Sequence, residues 1–248
     1  MNITELPDAQ AVIVHDDLDD LSYAVAQRIA ELAAQAIAAR GVFHVALAGG
    51  ETPRLCYQKL RGFAIDWKHV HIYFGDERCL PSGDAGRNDS MVRETLLDHI
   101  IIPPANVHAI SAELGAREAA ACYASLLGKV VPLDLILLGM GEDGHTASLF
   151  PDNPATGSAE AVVPVFDAPK PPAERVTLGM NTLNSARQKI FIVAGTGKHI
   201  ALERILLGIT LPAARVTVAE WHLDRAALSG RRDKPFSPGD SEGGTVKL

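Results

Sequence analysis

The chain has 248 residues, 47% of them apolar, which suffices for one α/β domain with a full core. Its formal net charge of -7 and lack of a dense Lys/Arg stripe exclude the electrostatic footprint of a nucleic-acid or anionic-membrane binder, so any anionic ligand must be held by a few local cations. Cys56, Cys79 and Cys122 form no CxxC pair and read as buried small apolar residues of a reducing compartment, while the acidic N-terminal stretch and the short apolar run Val130–Met140 predict a cytoplasmic protein with neither signal peptide nor membrane span.

In chain order, Ala11 to Val14 is a short apolar strand, and the Asp16–Asp20 cluster supplies N-caps for a helix with apolar residues at Leu21, Val25, Ile29, Leu32 and Ala36. Gly41 ends that helix. Val42 to Ala48 is a buried strand running into Gly49-Gly50, after which Thr52-Pro53 opens a helix through Leu60. His69 to Phe74 is a strand that ends at Asp76-Glu77-Arg78, and a Pro/Gly/Asp-rich loop from Pro81 to Arg87 leads to a helix over Asn88–His99. Val107–Ile110 is read as a short strand and Glu113–Leu127 as a helix. The continuous apolar run Leu133–Leu138 has the look of a strand covered on both faces, and the glycine-rich segment Gly139–Phe150 follows it as a turn becoming a helix. A Pro-rich loop leads to strands at Arg175–Leu178 and Lys189–Ala194, a helix at Lys198–Leu207 and a last strand-helix pair around Val216–Leu228. Residues 1–230 are expected to form a single domain and the Gly/Pro/Ser/Asp-rich tail 231–248 to be disordered.

This alternation predicts an α/β fold with a mostly parallel sheet and helices on both faces. Ligands of such sheets collect at the carboxyl ends of the strands, which places Gly49–Pro53, Asp76–Arg78 and Gly139–Thr146 around one crevice. Gly49-Gly50 with Thr52 at a helix start can cradle a phosphate, although an ordinary tight turn has the same composition. The dinucleotide fingerprint GxGxxG is absent from that turn. Asp76-Glu77-Arg78 is either a solvated turn or a site where the Arg78 fork meets a phosphate. In Gly139-Met-Gly-Glu-Asp-Gly-His145-Thr-Ala-Ser-Leu-Phe150 a histidine stands among glycines that bring backbone donors close, an arrangement suited to general-base hydrolysis. Ser148 lacks a GxSxG context for a nucleophile, and His69-Val-His71 lacks a third ligand for a metal.

The segments LAGGETPRLCYQKL, YFGDERCLPSGDAGRNDSMVRETLL and LDLILLGMGEDGHTASLFP resemble, in order and separation, the three signature regions of the 6-phosphogluconolactonases. PPAERVTLGMNTLNSA and AGTGKHIAL are similar to that family's later Arg-containing strand and glycine-lysine turn. The resemblance implies a modified Rossmann-like fold of the sugar-phosphate isomerase/lactonase type. It further implies hydrolysis of 6-phospho-D-glucono-1,5-lactone in the oxidative pentose phosphate pathway, by a His-activated water and without a covalent intermediate. By the same resemblance His145 is the base and Asp143 shapes the site. Gly50, Thr52, Arg78 and Lys198 hold the phosphate, with Gly49, Asn88, Gly144 and Arg175 also binding substrate. No cofactor and no metal are implied; the partner is a small phosphorylated sugar lactone, and the protein is a monomer or homodimer. Glu51 departs from the family, where Ser is frequent, and adds a negative charge beside the phosphate loop. The related amino-sugar phosphate isomerases carry a carboxylate five residues after the histidine, where this chain has Phe150. A sugar-phosphate sensor is the other alternative, but no helix-turn-helix or basic segment accompanies this domain.

Overall fold

The computed structural model describes Leu6 and residues 8–229; the tail 231–248 lies outside them. Along the chain come β1 (Ala9–His15), α1 (Leu18–Arg40), β2 (Phe43–Leu47), α2 (Glu51–Leu60), β3 (Val70–Phe74), β4 (Asp76–Arg78), α3 (Asn88–Thr95) and α4 (Ala116–Leu127). They are followed by β5 (Leu135–Gly139), β6 (Val162–Val165), β7 (Arg175–Leu178), α5 (Met180–Ser185), β8 (Gln188–Val193), α6 (His199–Leu206), β9 (Ala219–Asp224) and α7 (Arg225–Leu228).

Local chemistry explains the longest helix. The Asp17 side chain accepts the N–H groups of Asp19 (2.8 Å) and Asp20 (3.0 Å), and Gly41 closes α1 in the left-handed region at φ 77°. The stripe Leu21, Val25, Ile29, Leu32 and Ala36 is buried, so helical period delivers one apolar face to the core. Among the described residues no helix is long and apolar enough to cross a membrane.

The main sheet has the order β1-β9-β8-β5-β2-β3, and each of its ladders is parallel. From the β5–β2 boundary the chain winds outward in opposite directions, to β3 on one side and to β8 and β9 on the other. At such a reversal the connections leave a crevice above the carboxyl ends of the two central strands. A second sheet, antiparallel and three-stranded in the order β4-β7-β6, sits beyond β3. Gly75 joins the two sheets: its N–H donates to the Leu47 carbonyl (3.0 Å) and its carbonyl accepts from the Leu178 N–H (2.8 Å).

Several expectations are corrected. Asp76–Arg78 is a strand and not a turn, and β6 lies within the stretch read as a Pro-rich loop. Pro164 is tolerated in β6 because this strand lies at a sheet edge. Helix α2 begins at Glu51 with Gly50 as its cap, so Pro53 is the third helical residue; its missing N–H falls among those of the first turn, which have no helical partner. No helix follows His145; Ala147, at φ 49°, instead closes a tight turn in which the Leu149 N–H donates to Thr146 (2.9 Å). Val107 contributes a single parallel bridge to Ile72 in place of a strand. Helix α3 stops at Thr95, with a separate 3-10 turn over Leu97–His99, and α4 starts only after Gly115. Of the cysteines Cys56 alone is buried, Cys79 is half-buried and Cys122 is exposed on α4.

Candidate active site

A cleft of about 340 Å³ opens at the β2–β5 reversal. It is lined by eight of the residues singled out from the sequence, namely Gly49, Gly50, Thr52, Arg78, Asn88, His145, Arg175 and Lys198. Asp143 stands behind His145 instead of lining the cleft. Gly144 is the departure: its N–H donates to Gly141 (3.0 Å), its carbonyl accepts from Ala213 (3.0 Å), and a Cβ there would meet Leu211 at 2.5 Å. Both of its polar groups are thus spent inside the protein, so Gly144 shapes the loop and does not face a ligand.

His145 hangs from the loop that leaves β5. Its Nδ1 lies 2.5 Å from Asp143 Oδ1, and the same oxygen accepts the His145 backbone N–H at 3.2 Å. Burial works to raise the Asp143 pKa, but the hydrogen bond and charge of His145 outweigh it and bring the carboxyl down to about 2. An ionised carboxylate on Nδ1 requires the proton there, which leaves Nε2 as the accepting nitrogen. The ring packs at 4.5 Å against Phe150. Gly141 must be glycine, since a Cβ would stand 2.0 Å from His145 Nδ1, and its N–H is already given to the His145 carbonyl (2.8 Å). Gly141 and Gly144, expected to supply free backbone donors around His145, therefore use them to fold the loop.

Opposite His145, α2 presents its N-terminus. Gly50 adopts φ 101° and no side chain caps the helix, so the first-turn N–H groups are left to the cleft, a ready anion site. Glu51 is exposed there and lies 3.4 Å from Arg54, which offsets part of its charge. A Cβ on Gly49 would stand 1.8 Å from Asn88 Oδ1, so the glycine turn and α3 touch directly.

Asn88 belongs to a buried polar network that the sequence did not announce. Its Nδ2 donates to the Asp76 carbonyl (2.8 Å) and to Asp76 Oδ1 (3.2 Å), and Ser148 Oγ donates to Asp76 Oδ2 (2.5 Å). Ser148 is thus a buried anchor. Glu77, fully buried, accepts the N–H groups of Arg78 (2.8 Å), Asn88 (2.7 Å) and Asp89 (2.9 Å), and so caps α3 from β4. Burial pushes its carboxyl up to about 7 against the pull of those donors. Arg87, also buried, ties the loop together through Asp89 (2.9 Å), Glu113 (2.9 Å) and the carbonyls of Leu80 (3.0 Å) and Ile110 (2.8 Å).

Four cations line the cleft, Arg78, Lys170, Arg175 and Lys198, against the carboxylates Glu51 and Asp76. A chain of net charge -7 therefore holds a locally positive pocket. Arg78 donates to the Gly86 carbonyl. Burial lowers the Arg175 pKa, opposed by Asp76 and reinforced by Arg78. Lys198 is likewise lowered by burial, with Glu142 opposing and Lys170 reinforcing. Lys170 was missed from the sequence because a lone lysine among prolines carries no motif. The two histidines weighed as a metal pair separate: His69 lies in a 3-10 turn and pairs with Asp66 (2.8 Å), while His71 pairs with His108 (3.0 Å).

Residues 16–223 match the family model described as glucosamine-6-phosphate isomerases/6-phosphogluconolactonase. The chain is 38% identical to the 6-phosphogluconolactonase of Homo sapiens, over 87% of this chain and 92% of that one. It is 37% identical to that of Mycobacterium leprae, over 88% and 97%. Among solved structures, a 6-phosphogluconolactonase from Thermotoga maritima superposes with a TM-score of 0.80 at 28% identity, covering 86% of this chain and 98% of that one. A monomeric glucosamine-6-phosphate deaminase shares the fold at a TM-score of 0.78 and 20% identity.

Proposed function

The chain belongs to the glucosamine-6-phosphate isomerase/6-phosphogluconolactonase family, and we propose that its own reaction is the hydrolysis of 6-phosphoglucono-1,5-lactone to 6-phosphogluconate, the lactone-opening step of the pentose phosphate pathway. The observation that carries the reading is the Asp143–His145 pair, with Nδ1 held at 2.5 Å and the ring lining a cationic cleft. A δ-lactone is an activated ester, so a positioned water and a base suffice. The water oxygen bonds to C1 as its proton passes to Nε2 of His145, and the Asp143 carboxylate stabilises the imidazolium that results. The tetrahedral centre then collapses with cleavage of the C1–O5 bond, and the ring oxygen takes the proton back from Nε2. No enzyme nucleophile is needed, and the one nearby hydroxyl considered, that of Ser148, is buried on Asp76.

Phosphate binding on the far side of the cleft, by the α2 N-terminus with Arg78 and Lys198, fixes the ring against the water and so serves orientation. The isomerase alternative is disfavoured at Phe150, a buried aromatic that packs against His145 where the isomerases are expected to carry a carboxylate. The decisive assay follows freshly generated lactone against its spontaneous decay. His145→Ala is expected to lower kcat by about 10²- to 10⁴-fold, the usual contribution of a general base, whereas Arg78→Ala mainly raises KM. Equal losses of kcat and KM in both variants would sink this division of roles, and ketose formation from glucosamine 6-phosphate would move the chain to the isomerase side of its family.

A further inference from the structure

The guanidinium of Arg175 is largely spent before any ligand arrives. Its Nη2 donates to the carbonyls of Lys170 (2.9 Å) and Pro171 (3.3 Å), its Nε donates to that of Pro172 (3.2 Å), and its carbon stands 5.5 Å above the Phe150 ring. What the buried arginine holds in place is the β6–β7 loop, and that loop carries Lys170 to the rim of the cleft. Lys170 and Lys198 are near enough for the charge of one to act on the other. Among the described residues the lysine ion pair is Lys59–Asp19 (2.6 Å), and neither cleft lysine forms one. Lys198 feels the opposing charges of Glu142 and Lys170 and is ion-paired to neither, so a dianion between the two ammonium groups converts their mutual repulsion into attraction on both sides.

We propose that Lys170, braced by Arg175 and acting with Lys198, is the residue by which the cleft prefers a phosphorylated lactone to the free sugar lactone. The proposal rests on the lactonase reading for its substrate, but the phosphate contact itself does not require turnover. Arg175 is on this account a positioning residue, and the charge that meets the phosphate is that of Lys170.

The test compares kcat/KM for 6-phosphoglucono-1,5-lactone and for unphosphorylated glucono-1,5-lactone in the wild type, Lys170→Gln and Lys170→Arg. The preference for the phosphorylated lactone should fall about tenfold or more in Lys170→Gln, the scale of one charge-assisted contact, and be largely regained in Lys170→Arg. An equal loss on both lactones, or an unchanged preference, overturns the proposal, because a merely structural lysine has no reason to distinguish the substrates. Calorimetric titration with inorganic phosphate separates this result from the lactonase reading. Should the wild type open neither lactone, that reading fails, while weaker phosphate binding by Lys170→Gln than by the wild type still supports the lysine's part. Equal binding by the two proteins, or none by the wild type, ends it.

Discussion

Asp143 and His145 are two residues apart, and Gly144 between them, at φ 82°, turns the chain so that their side chains meet on one side of the loop. That local reversal makes the carboxylate an orienting group. With its pKa at about 2, Asp143 stays ionised throughout the neutral range and fixes the proton on Nδ1. Asn in its place could offer its amide N–H to Nδ1 and so stabilise the opposite tautomer, with the proton on Nε2 where the water must deliver its own. Asp143→Asn is therefore expected to lower kcat by roughly 10²-fold or more with little change in KM. Steady-state kinetics on the lactone check this, and a variant that keeps more than half of wild-type kcat would remove Asp143 from the mechanism.

At the scale of elements, the second sheet and the loop it supports decide where the cations Arg78, Lys170 and Arg175 meet the cleft. Glu77 on β4 accepts the N–H groups of Arg78, Asn88 and Asp89, so one carboxylate sets the positions of two cleft residues. In Glu77→Gln one accepting oxygen becomes an NH2 group that faces a backbone N–H. The expected cost is about 1–3 kcal/mol of stability, the penalty for leaving a buried donor unsatisfied. Through Arg78 and Asn88 the same change should raise KM for the lactone more than it lowers kcat; urea unfolding and kinetics on one preparation read both, and a fall in kcat alone would contradict the argument. This region was also the least legible in the sequence. The main-sheet strands declare themselves by apolar runs, as in Leu135–Leu138, and α1 by its period and its caps. Strand β4 is Asp-Glu-Arg, polar at every position, because its side chains serve a buried network and the cleft, and hydrophobic patterning cannot report a strand of that kind. Arg87 reads as one more loop residue, yet it is buried among acceptors on Asp89, Glu113, Leu80 and Ile110 that only the folded chain brings together. The glycine turn and His145 were legible for the opposite reason: their chemistry is local, and the parallel-sheet rule places both at the same strand ends.

Over the whole molecule, stability should depend on pH through groups remote from the cleft. His44, His71 and His108 cluster on the β2–β3 side of the sheet, with His71 3.0 Å from His108 and His44 3.3 Å from the Tyr73 hydroxyl. His15 lies 3.0 Å from His222 on the other side. Burial lowers the pKa of His15, His44, His71 and His108; the charge of a neighbouring histidine adds to this at His15, His44 and His108, and Asp20 and Asp134 oppose it at His15 and His44. A base whose pKa is lower folded than unfolded binds more protons when unfolded. Its stabilisation is thus complete above the unfolded value of about 6.5 and is lost as pH falls through the lowered folded value. Glu77 works the other way: with its carboxyl raised to about 7, its contribution is present below about 4.3 and lost as pH rises through 7. Four histidines shifted in one direction thus oppose one carboxylate shifted in the other, and their number tips the balance towards the histidines. Asp143 and Glu220, each brought down to about 2, titrate below this window and leave its slope unchanged. The free energy of unfolding should therefore rise as pH increases towards about 6.5. Urea titrations at half-unit steps measure that slope; it should shrink in His108→Gln, which removes one titrating group, whereas a flat or falling curve in the wild type would mean that Glu77 outweighs the histidines.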